Sequence, residues 1–481
     1  MNQEEIKKRL IELLGPRNVS DKEVIRESYQ YMPFFGITWR VKNQFITLPE
    51  SVEQVSEIMK IANEYRIPIT PRGSLGFGGF AKGILIDMTR LNRILKIDEQ
   101  NAKAIAEGGC SFFYLVHELF KKGFILPTSE FGPAVTVAAT AQNPAVCFGK
   151  TRYGRNSQLV EGLEVVLPTG EVVRVGSLAY DQTSFGAYSR FITGPDLVGL
   201  FTQGGGAFGI ITKVAYRCLK KPENWGFYTY YWSKEQSEEL TKAMKALVSR
   251  EIFDIHLNDR GITLAMEQAG LLPKLPNDCW FILYLMVTAE STEELKAKES
   301  WVGRLCREHS GKTLTPNLCQ EHWEWPTFFQ PTNHPIMIET YKRSGHKFLQ
   351  IADSIYYPLS KFPEVYSVTQ ELCEKFSIVG NGSPTVLDAF VFNDNVICSQ
   401  IWLFLDPYDK DWRKRMAKFH YEFCDVLGRK GATWQNMFPP LVPDWAWKNQ
   451  ESAHQLITRI KKLIDPNNIL MPGNIYSVKE V

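Results

Sequence analysis

Four glycines fall within nine residues at Pro71-Arg72-Gly73-Ser74-Leu75-Gly76-Phe77-Gly78-Gly79. Successive backbone N–H groups in such a loop form a hollow that suits an anion, and glycine lets a ligand come close to the chain. Arg72 adds a fixed positive charge. Taken alone, the stretch serves equally as a turn between two strands. A second small-residue run, EFGPAVTVAATAQNPAVCFG, covers 130–149, and a third cluster is Gly204-Gly205-Gly206-Ala207-Phe208-Gly209. Small residues bury little side-chain area and gain little from packing on one another. Turns do not need this density at three places, whereas one long ligand touched three times does.

The first loop differs from the dinucleotide fingerprint. That motif is G-x-G-x-x-G opening a helix whose N-terminus receives the pyrophosphate. Here the glycines run into an apolar stretch, Gly83 to Met88, that reads as a strand. Loop amides and Arg72 would hold a phosphate without a helix dipole, which argues against a nicotinamide-binding Rossmann domain.

A separate group could move protons. His334, Tyr341, Arg343 and His346 lie in a loop-rich run with Trp323, Trp325, Phe328 and Phe329. Imidazole and phenol suit that task, although a lone histidine is more commonly structural. Trp434, Trp445 and Trp447 either flank a pocket or pack the C-terminal segment.

The bulk numbers narrow the field. With 481 residues and 44% apolar composition, the chain can build two cores. Lys+Arg 55 against Asp+Glu 53 leaves +2, and no basic tract stands out, so no nucleic-acid partner is expected. Nine scattered cysteines without C-x-x-C fit reduced thiols in a cytoplasmic protein rather than a disulfide, zinc or iron–sulfur framework. The start, MNQEEIKKRLIELLG, carries acids and no apolar h-region, so no signal peptide is expected. No uninterrupted apolar run of about 20 residues predicts a membrane span.

The elements that position the loops follow in order. Ile6, Leu10, Leu13 and Leu14 predict a short amphipathic helix. Asn18 to Asn43 reads as irregular. Phe45 to Pro49 predicts a strand, Ser51 with Gln54 a capping box, and Val55, Ile58, Met59 and Ala62 the buried stripe of a helix. Strands are expected at 67–70, 83–88, 92–98 and 102–107, then a helix from Ser111. A hairpin joins 163–167 to 171–175 through Pro168-Thr169-Gly170, and a strand follows the third glycine cluster at 210–219. From Asn224 the pattern changes to an αβ sheet covered by helices. Strands there are expected at 227–232, 253–257, 280–287, 351–357, 386–393 and 396–405, with helices at 234–250, 292–309, 361–376 and 410–428.

The ordered set of motifs resembles flavoproteins of the vanillyl-alcohol oxidase / p-cresol methylhydroxylase type. It comprises FITLPESVEQV at 45–55, PRGSLGFGG at 71–79, ILIDMTRLNRIL at 84–95 and AIAEGGCSFFYLVHEL at 104–119. RYGRNSQLVEGLEVVLPTGEVVRVG at 152–176, DLVGLFTQGGGAFGIITKV at 196–214 and IDPNNILMPGNIY at 464–476 complete it. The resemblance implies an α+β chain with a two-subdomain FAD-binding domain and an α/β cap that forms the substrate pocket. The expected division is 1–223 for the first part of the FAD-binding domain, 224–432 for the cap and 433–481 for a segment that returns to the FAD side. The resemblance also implies an FAD-binding set. It places Pro71, Arg72, Gly73, Ser74, Leu75, Gly76, Phe77 and Gly78 on the pyrophosphate. Gly132, Pro133, Thr136, Val137, Ala139, Thr140 and Asn143 come next, then Tyr153, Gly206, Gly209, Ile210, Ile211 and Asn474.

The departures from the family pattern bear on chemistry. Many members attach FAD through a histidine after an R-G-G-G run; here Ser74, Leu75 and Gly76 stand there. Others use a cysteine where this chain has Gly132-Pro133-Ala134-Val135. FAD is therefore expected to be non-covalent, with a bond from a cap Tyr or His left open. The D-lactate and glycolate branch carries metal-binding histidines in a region that reads Asp388-Ala389-Phe390-Val391-Phe392-Asn393-Asp394-Asn395 here, so no metal is expected. In the alcohol-oxidase branch an acid follows the motif matched by Thr151-Arg152-Tyr153-Gly154; here it is Arg155. A cation there would stabilise a reduced anionic flavin or hold an anionic substrate, or else Arg155 turns to solvent or pairs elsewhere.

The implied activity is hydride transfer from an alcohol or hydroxy acid to FAD. The implied catalytic set is Arg155, Tyr153, His334 and Tyr341, and electrons then pass to O2 or to a separate iron–sulfur or electron-transfer flavoprotein chain. A flavin-carrying electron-transfer subunit without substrate chemistry is the other reading.

Overall fold

The computed structural model describes residues 3–29, 44–73, 83–127, 135–142, 147–191, 193–250, 252–261, 264, 267, 273–315, 348–378, 387–405, 411–434, 447 and 449–473. Helix α1 (Gln3–Leu14) buries Ile6, Leu10 and Leu14, as their spacing predicts. Where irregular chain is expected, strand β1 (Val19–Ser20) and helix α2 (Glu23–Ser28) form. β1 is too short to show in the sequence and exists because β2 (Phe45–Thr47) offers it a partner, Val19 opposite Thr47.

The first layer is a parallel core with one antiparallel edge, in the order β1-β2-β4-β3. Helix α3 (Val52–Tyr65) crosses from β2 to β3 (Ile69–Arg72), and β4 (Ile84–Asp87) lies between them. Ser51 Oγ accepts the Gln54 N–H, and the Gln54 side chain returns to the backbone N–H of Glu50 at 2.7 Å. That is the expected cap, displaced by one residue on its return arm. Val55, Ile58, Met59 and Ala62 are fully buried on the sheet.

A second, antiparallel sheet joins β5 (Ile94–Asp98), β6 (Lys103–Glu107), β8 (Val160–Val166), β9 (Val172–Gly176) and β10 (Ile210–Arg217), in the order β5-β6-β10-β8-β9. Helix α4 (Phe112–Lys121) packs beside it, capped where Ser111 Oγ accepts the Tyr114 N–H. β7 (Phe124–Ile125) pairs with β11 (Leu219–Lys220). The second small-residue run contains one helical turn, α5 (Val137–Gln142), and is followed by another, α6 (Lys150–Tyr153), while α7 (Val198–Phe201) precedes the third glycine cluster.

The described residues between 224 and 434 include one eight-stranded antiparallel sheet. β12 (Asn224–Trp232), β13 (Asp254–Asp259), β14 (Phe281–Ala289) and β15 (Lys312–Thr313) form one half. β16 (Phe348–Pro358), β17 (Leu387–Val391), β18 (Val396–Leu405) and β19 (Thr433–Trp434) form the other. The order is β15-β12-β14-β13-β17-β18-β16-β19. Helices α8 (Ser237–Val248), α9 (Thr292–Glu308), α10 (Phe362–Lys375) and α11 (Trp412–Arg429) contribute to a single apolar core on one face of it, with Ile255, Leu257, Leu283, Leu285, Leu387 and Ile401.

The chain then returns to the first half. Helix α12 (Glu451–Ile464), absent from the sequence reading, packs Ile457, Ile460 and Ile464 against the second sheet's core. Beyond it, Leu470 bridges β3 in parallel at Ile69, and the Ile69 N–H donates to Ile469 O at 2.7 Å. Among the described residues no helix is long and apolar enough to cross a membrane.

Candidate functional site

The three small-residue segments meet. A Cβ on Gly73 would stand 2.5 Å from Thr136 Oγ1, so the end of β3 and the start of α5 touch at a point where only glycine fits. Gly206 has φ +79°, and the three nearest atoms to a Cβ built there belong to Pro71, Met471 and Gln142, at 3.5, 3.8 and 3.9 Å. Gln142 Nε2 donates to Gly209 O at 3.3 Å. Pro71, Gly73, Thr136, Gln142, Gly206 and Gly209 therefore surround one place, and the C-terminal Met471 borders it.

Within this set the side chains divide. Val137 and Thr140 turn into the core, and Thr140 Oγ1 donates to Val137 O at 2.9 Å and lies 3.0 Å from Tyr216 Oη. Ala139 stays half-buried. Ile210 and Ile211 are buried in β10. Ser74, Leu75, Gly76, Phe77, Gly78, Gly132, Pro133, Asn143 and Asn474 lie outside the described residues, as do His334 and Tyr341.

Arg72 is held from behind. Its Nη1 donates to Tyr29 O at 2.5 Å, and its guanidinium stacks on the Tyr29 ring at 4.9 Å. The Tyr29 hydroxyl donates to Asp87 Oδ2 at 2.5 Å, in the strand position paired with Arg72. Burial pushes the Arg72 guanidinium below its ordinary value, opposed by Tyr29 and Asp87. Burial, and then the bond to Asp87, raise the Tyr29 phenol.

The turn at 147–155 carries the other half of the site into the large sheet. Lys150 is fully buried and ion-paired with Asp254 of β13, whose other oxygen accepts the Gly149 N–H at 2.5 Å. Thr151 Oγ1 donates to Val391 O at 2.7 Å and accepts the Ile255 N–H at 2.8 Å. Tyr153 meets Phe253 edge-on at 6.0 Å. Arg155 lies over the rings of Phe392 and Tyr356 at 4.6 and 5.0 Å, with Nη1 3.7 Å from Asp394. It thus sits at the junction of the two halves.

The sheet face turned toward this junction holds residues that the sequence reading did not single out. Asp254, His256 and Asn258 alternate along β13 with Ile255 and Leu257, which join the core on the opposite face. His256 pairs with Asp388 of β17, and Asn258 Nδ2 donates to the same carboxylate oxygen at 2.9 Å. Phe390 stacks on the imidazole at 4.6 Å. The signal available in the sequence was the alternation D-I-H-L-N at 254–258 in a strand buried on both faces.

These features fit an FAD nucleotide. Three backbones of small residues form the cradle, and at Gly73 and Gly209 a Cβ would stand 2.5 and 2.3 Å from Thr136 Oγ1 and Val165. Two buried polar atoms near it, Thr70 Oγ1 on β3 and Asn156 Nδ2 beside α5, have no hydrogen-bond partner among the described residues. Buried polar atoms are rarely left so unless something else meets them.

The fold and this cradle are those of FAD-linked oxidoreductases, and the chain is similar to flavoproteins of the vanillyl-alcohol oxidase / p-cresol methylhydroxylase type. The family model for the FAD binding domain matches residues 44–176, and that for the C-terminal domain of FAD linked oxidases matches 443–475. The chain is 28% identical to glycolate oxidase subunit GlcD of Bacillus subtilis, over 46% of each chain, so it spans about half the length of that curated relative. It is 28% identical to mitochondrial D-2-hydroxyglutarate dehydrogenase of Arabidopsis thaliana, over 96% of this chain and 80% of that one. The structure of substrate-bound p-cresol methylhydroxylase superposes with a TM-score of 0.82 at 19% identity, over 98% of this chain and 96% of that chain.

Proposed function

We propose that this chain is an FAD-dependent dehydrogenase or oxidase that takes a hydrogen with its electron pair from a CH–OH donor. The convergence of Pro71 and Gly73, Thr136 to Gln142, and Gly206 to Gly209 on one place carries this reading. Residues 1–223 and 433–481 hold the cofactor, and 224–432 form the cap. Bound FAD supplies the two-electron acceptor. The chain at 71–78, 132–143 and 206–211, chiefly through its backbone, and Asn474 hold it, with Arg72 kept in place by Tyr29. Tyr153 and Arg155 close the junction over the flavin side and exclude water, and the cap supplies the group that takes the substrate proton.

Attachment is non-covalent, since neither expected attachment position carries a histidine or cysteine. The donor is a hydroxy acid or an aromatic alcohol, and electrons leave to O2 or to a separate acceptor protein. A cytoplasmic setting is supported by the eight described cysteines, all buried and unbridged.

The second reading, a flavin-carrying subunit without substrate chemistry, is supported by the name of the Bacillus relative, which is itself a subunit. Purified protein is expected to be yellow with one FAD per chain, and acid precipitation is expected to release the colour. A colourless protein that takes up no FAD overturns the reading; colour in the pellet overturns non-covalent attachment. Anaerobic addition of glycolate, D-lactate, D-2-hydroxyglutarate or 4-hydroxybenzyl alcohol is expected to bleach the flavin with at least one donor. Bleaching by none, with reduction by a co-purified chain, selects the subunit reading.

A further inference from the structure

The large sheet buries a polar row on the face turned away from its helices. Asn258, Asp388, Gln400 and Ser354 lie directly opposite one another across β13, β17, β18 and β16. None is more than 7% exposed. His256, two residues before Asn258 on the same face, reaches across to the Asp388 carboxylate. Tyr284 stands opposite it on β14, with ring centres 5.8 Å apart. A face built only for stability would be apolar, because replacing a buried ionic group by well-packed apolar side chains is commonly neutral or stabilising. Ser354 Oγ, 2% exposed, has no hydrogen-bond partner among the described residues.

This row borders the junction with the cofactor half. Lys150 Nζ lies 4.9 Å from the centre of the Phe390 ring, which stacks on His256. Lys150 also pairs with Asp254, two residues before His256 on the same strand face.

We propose that His256 takes the proton of a substrate hydroxyl, with Asp388 as the positioning residue. This rests on the FAD-dependent oxidoreductase reading. Asp388 accepts the Nε2–H, which sets the neutral tautomer with its basic lone pair on Nδ1 and stabilises the imidazolium once formed. Asn258 fixes the carboxylate. The O–H bond of the substrate breaks, its proton passes to His256, and its electron pair becomes the second bond of the carbonyl. The C–H hydrogen leaves with its electron pair to bound FAD, so atoms and electrons balance. The end of the substrate in this row is a hydroxyl and not a carboxylate. A carboxylate arrives as a second, uncompensated anion beside Asp388 and meets strong like-charge repulsion, whereas a hydroxyl that ionises here leaves its proton on His256 and faces an imidazolium. Ser354 supplies a further hydrogen-bonding group of the kind a hydroxyl uses.

The test uses FAD-loaded full-length protein and 4-nitrophenol, a hydroxyl probe whose anion absorbs in the visible. At one pH unit below the point where the free phenol ionises, the wild-type protein is expected to bind it as the anion, seen in difference spectra against the same holoprotein. His256→Gln is expected to lower the bound ionised fraction tenfold or more, with FAD content unchanged. Asp388→Asn is expected to move the ionisation of the bound phenol to higher pH. Absence of bound anion in the wild-type protein overturns the proposal. So does an unchanged spectrum in His256→Gln, or, should that variant not fold, in Asp388→Asn; either result leaves His334 and Tyr341 as the rivals. Loss of FAD from the wild-type protein strikes instead at the oxidoreductase reading.

Discussion

Lys461 Nζ donates to the carbonyl oxygen of Ala207 at 2.7 Å, across 254 residues of chain. The same nitrogen reaches Leu470 O at 2.8 Å and Asp465 Oδ2 at 2.5 Å, and both ionic side chains are almost wholly buried. Asp465 in turn accepts the N–H groups of Ile469 and Leu470. One buried cation thus ties the third glycine cluster to the returning C-terminal segment, beside the place where Gly206 meets Pro71.

Lys461→Met is expected to destabilise the protein by about 3–5 kcal/mol, the usual cost of leaving one partner of a buried ion pair behind. The two backbone donors to Asp465 hold the cost near the lower end. Urea unfolding measures the loss, and FAD retention is expected to fall with it because the Gly204–Gly209 backbone loses its anchor. The Lys461→Met, Asp465→Asn double variant is expected to lose less than the sum of the singles. Additive losses would show that the two side chains do not act as a pair.

Gly73→Ala is expected to weaken FAD binding tenfold or more with little change in the second sheet. Its methyl group would overlap Thr136 Oγ1 and push the end of β3 off α5. Thr136→Ala removes the obstructing atoms, so the double variant is expected to recover most of the binding. Fluorescence titration of the apoprotein with FAD measures both. A double variant no better than Gly73→Ala would place the fault in the backbone conformation at 73 and not in the contact.

The sequence carried the elements with clear period and left others hidden. Helix α3 was readable because Val55, Ile58, Met59 and Ala62 repeat at helical spacing behind a Ser51 cap, and all four are buried. The hairpin around Pro168-Thr169-Gly170 was readable from turn chemistry, Gly170 taking φ +88°. Helix α5 was not, because Val-Ala-Ala-Thr-Ala-Gln lacks the apolar contrast that marks a face. The cradle was legible as three small-residue runs, since each carries its glycines locally. The cap-side row was not. His256 and Asp388 are 132 residues apart, and only the pairing of β13 with β17 brings them together.

Lys150→Met tests how the two halves are joined. The variant leaves Asp254 buried with one remaining donor among the described residues, the Gly149 N–H. A loss of about 3–5 kcal/mol is expected on the same ground as for Lys461. Here it falls on the junction, so the sheet of 224–434 is expected to keep its own cooperativity while the halves come apart earlier. Tryptophan fluorescence and far-ultraviolet circular dichroism, coincident in the parent, are expected to separate in the variant. Coincident transitions would mean that Thr151 and Arg155 suffice to hold the junction.

The pH dependence of stability is expected to carry a contribution from Asp196. Burial pushes its carboxyl up, but the hydrogen bond and charge of Arg190 outweigh burial and bring it below the ordinary value of 3.8. Arg190 Nη2 lies 2.5 Å from Asp196 Oδ2, and Nη1 donates to Ser157 O and Val160 O, which fastens the 177–197 segment to the strand β8. A carboxyl whose folded value lies below its unfolded one binds fewer protons in the native state. Its stabilisation is therefore present above about 3.8 and is lost as pH falls through the lower folded value. In Arg190→Met only the Gly199 and Val198 N–H groups are left to oppose burial, so the downward shift shrinks and this group's share of stability falls less as acid is added through that window. Urea midpoints measured from neutral pH down through 3.8 to strong acid are expected to drop less steeply below 3.8 in the variant than in the parent. Parallel curves would remove Asp196 from the acid sensitivity of this fold.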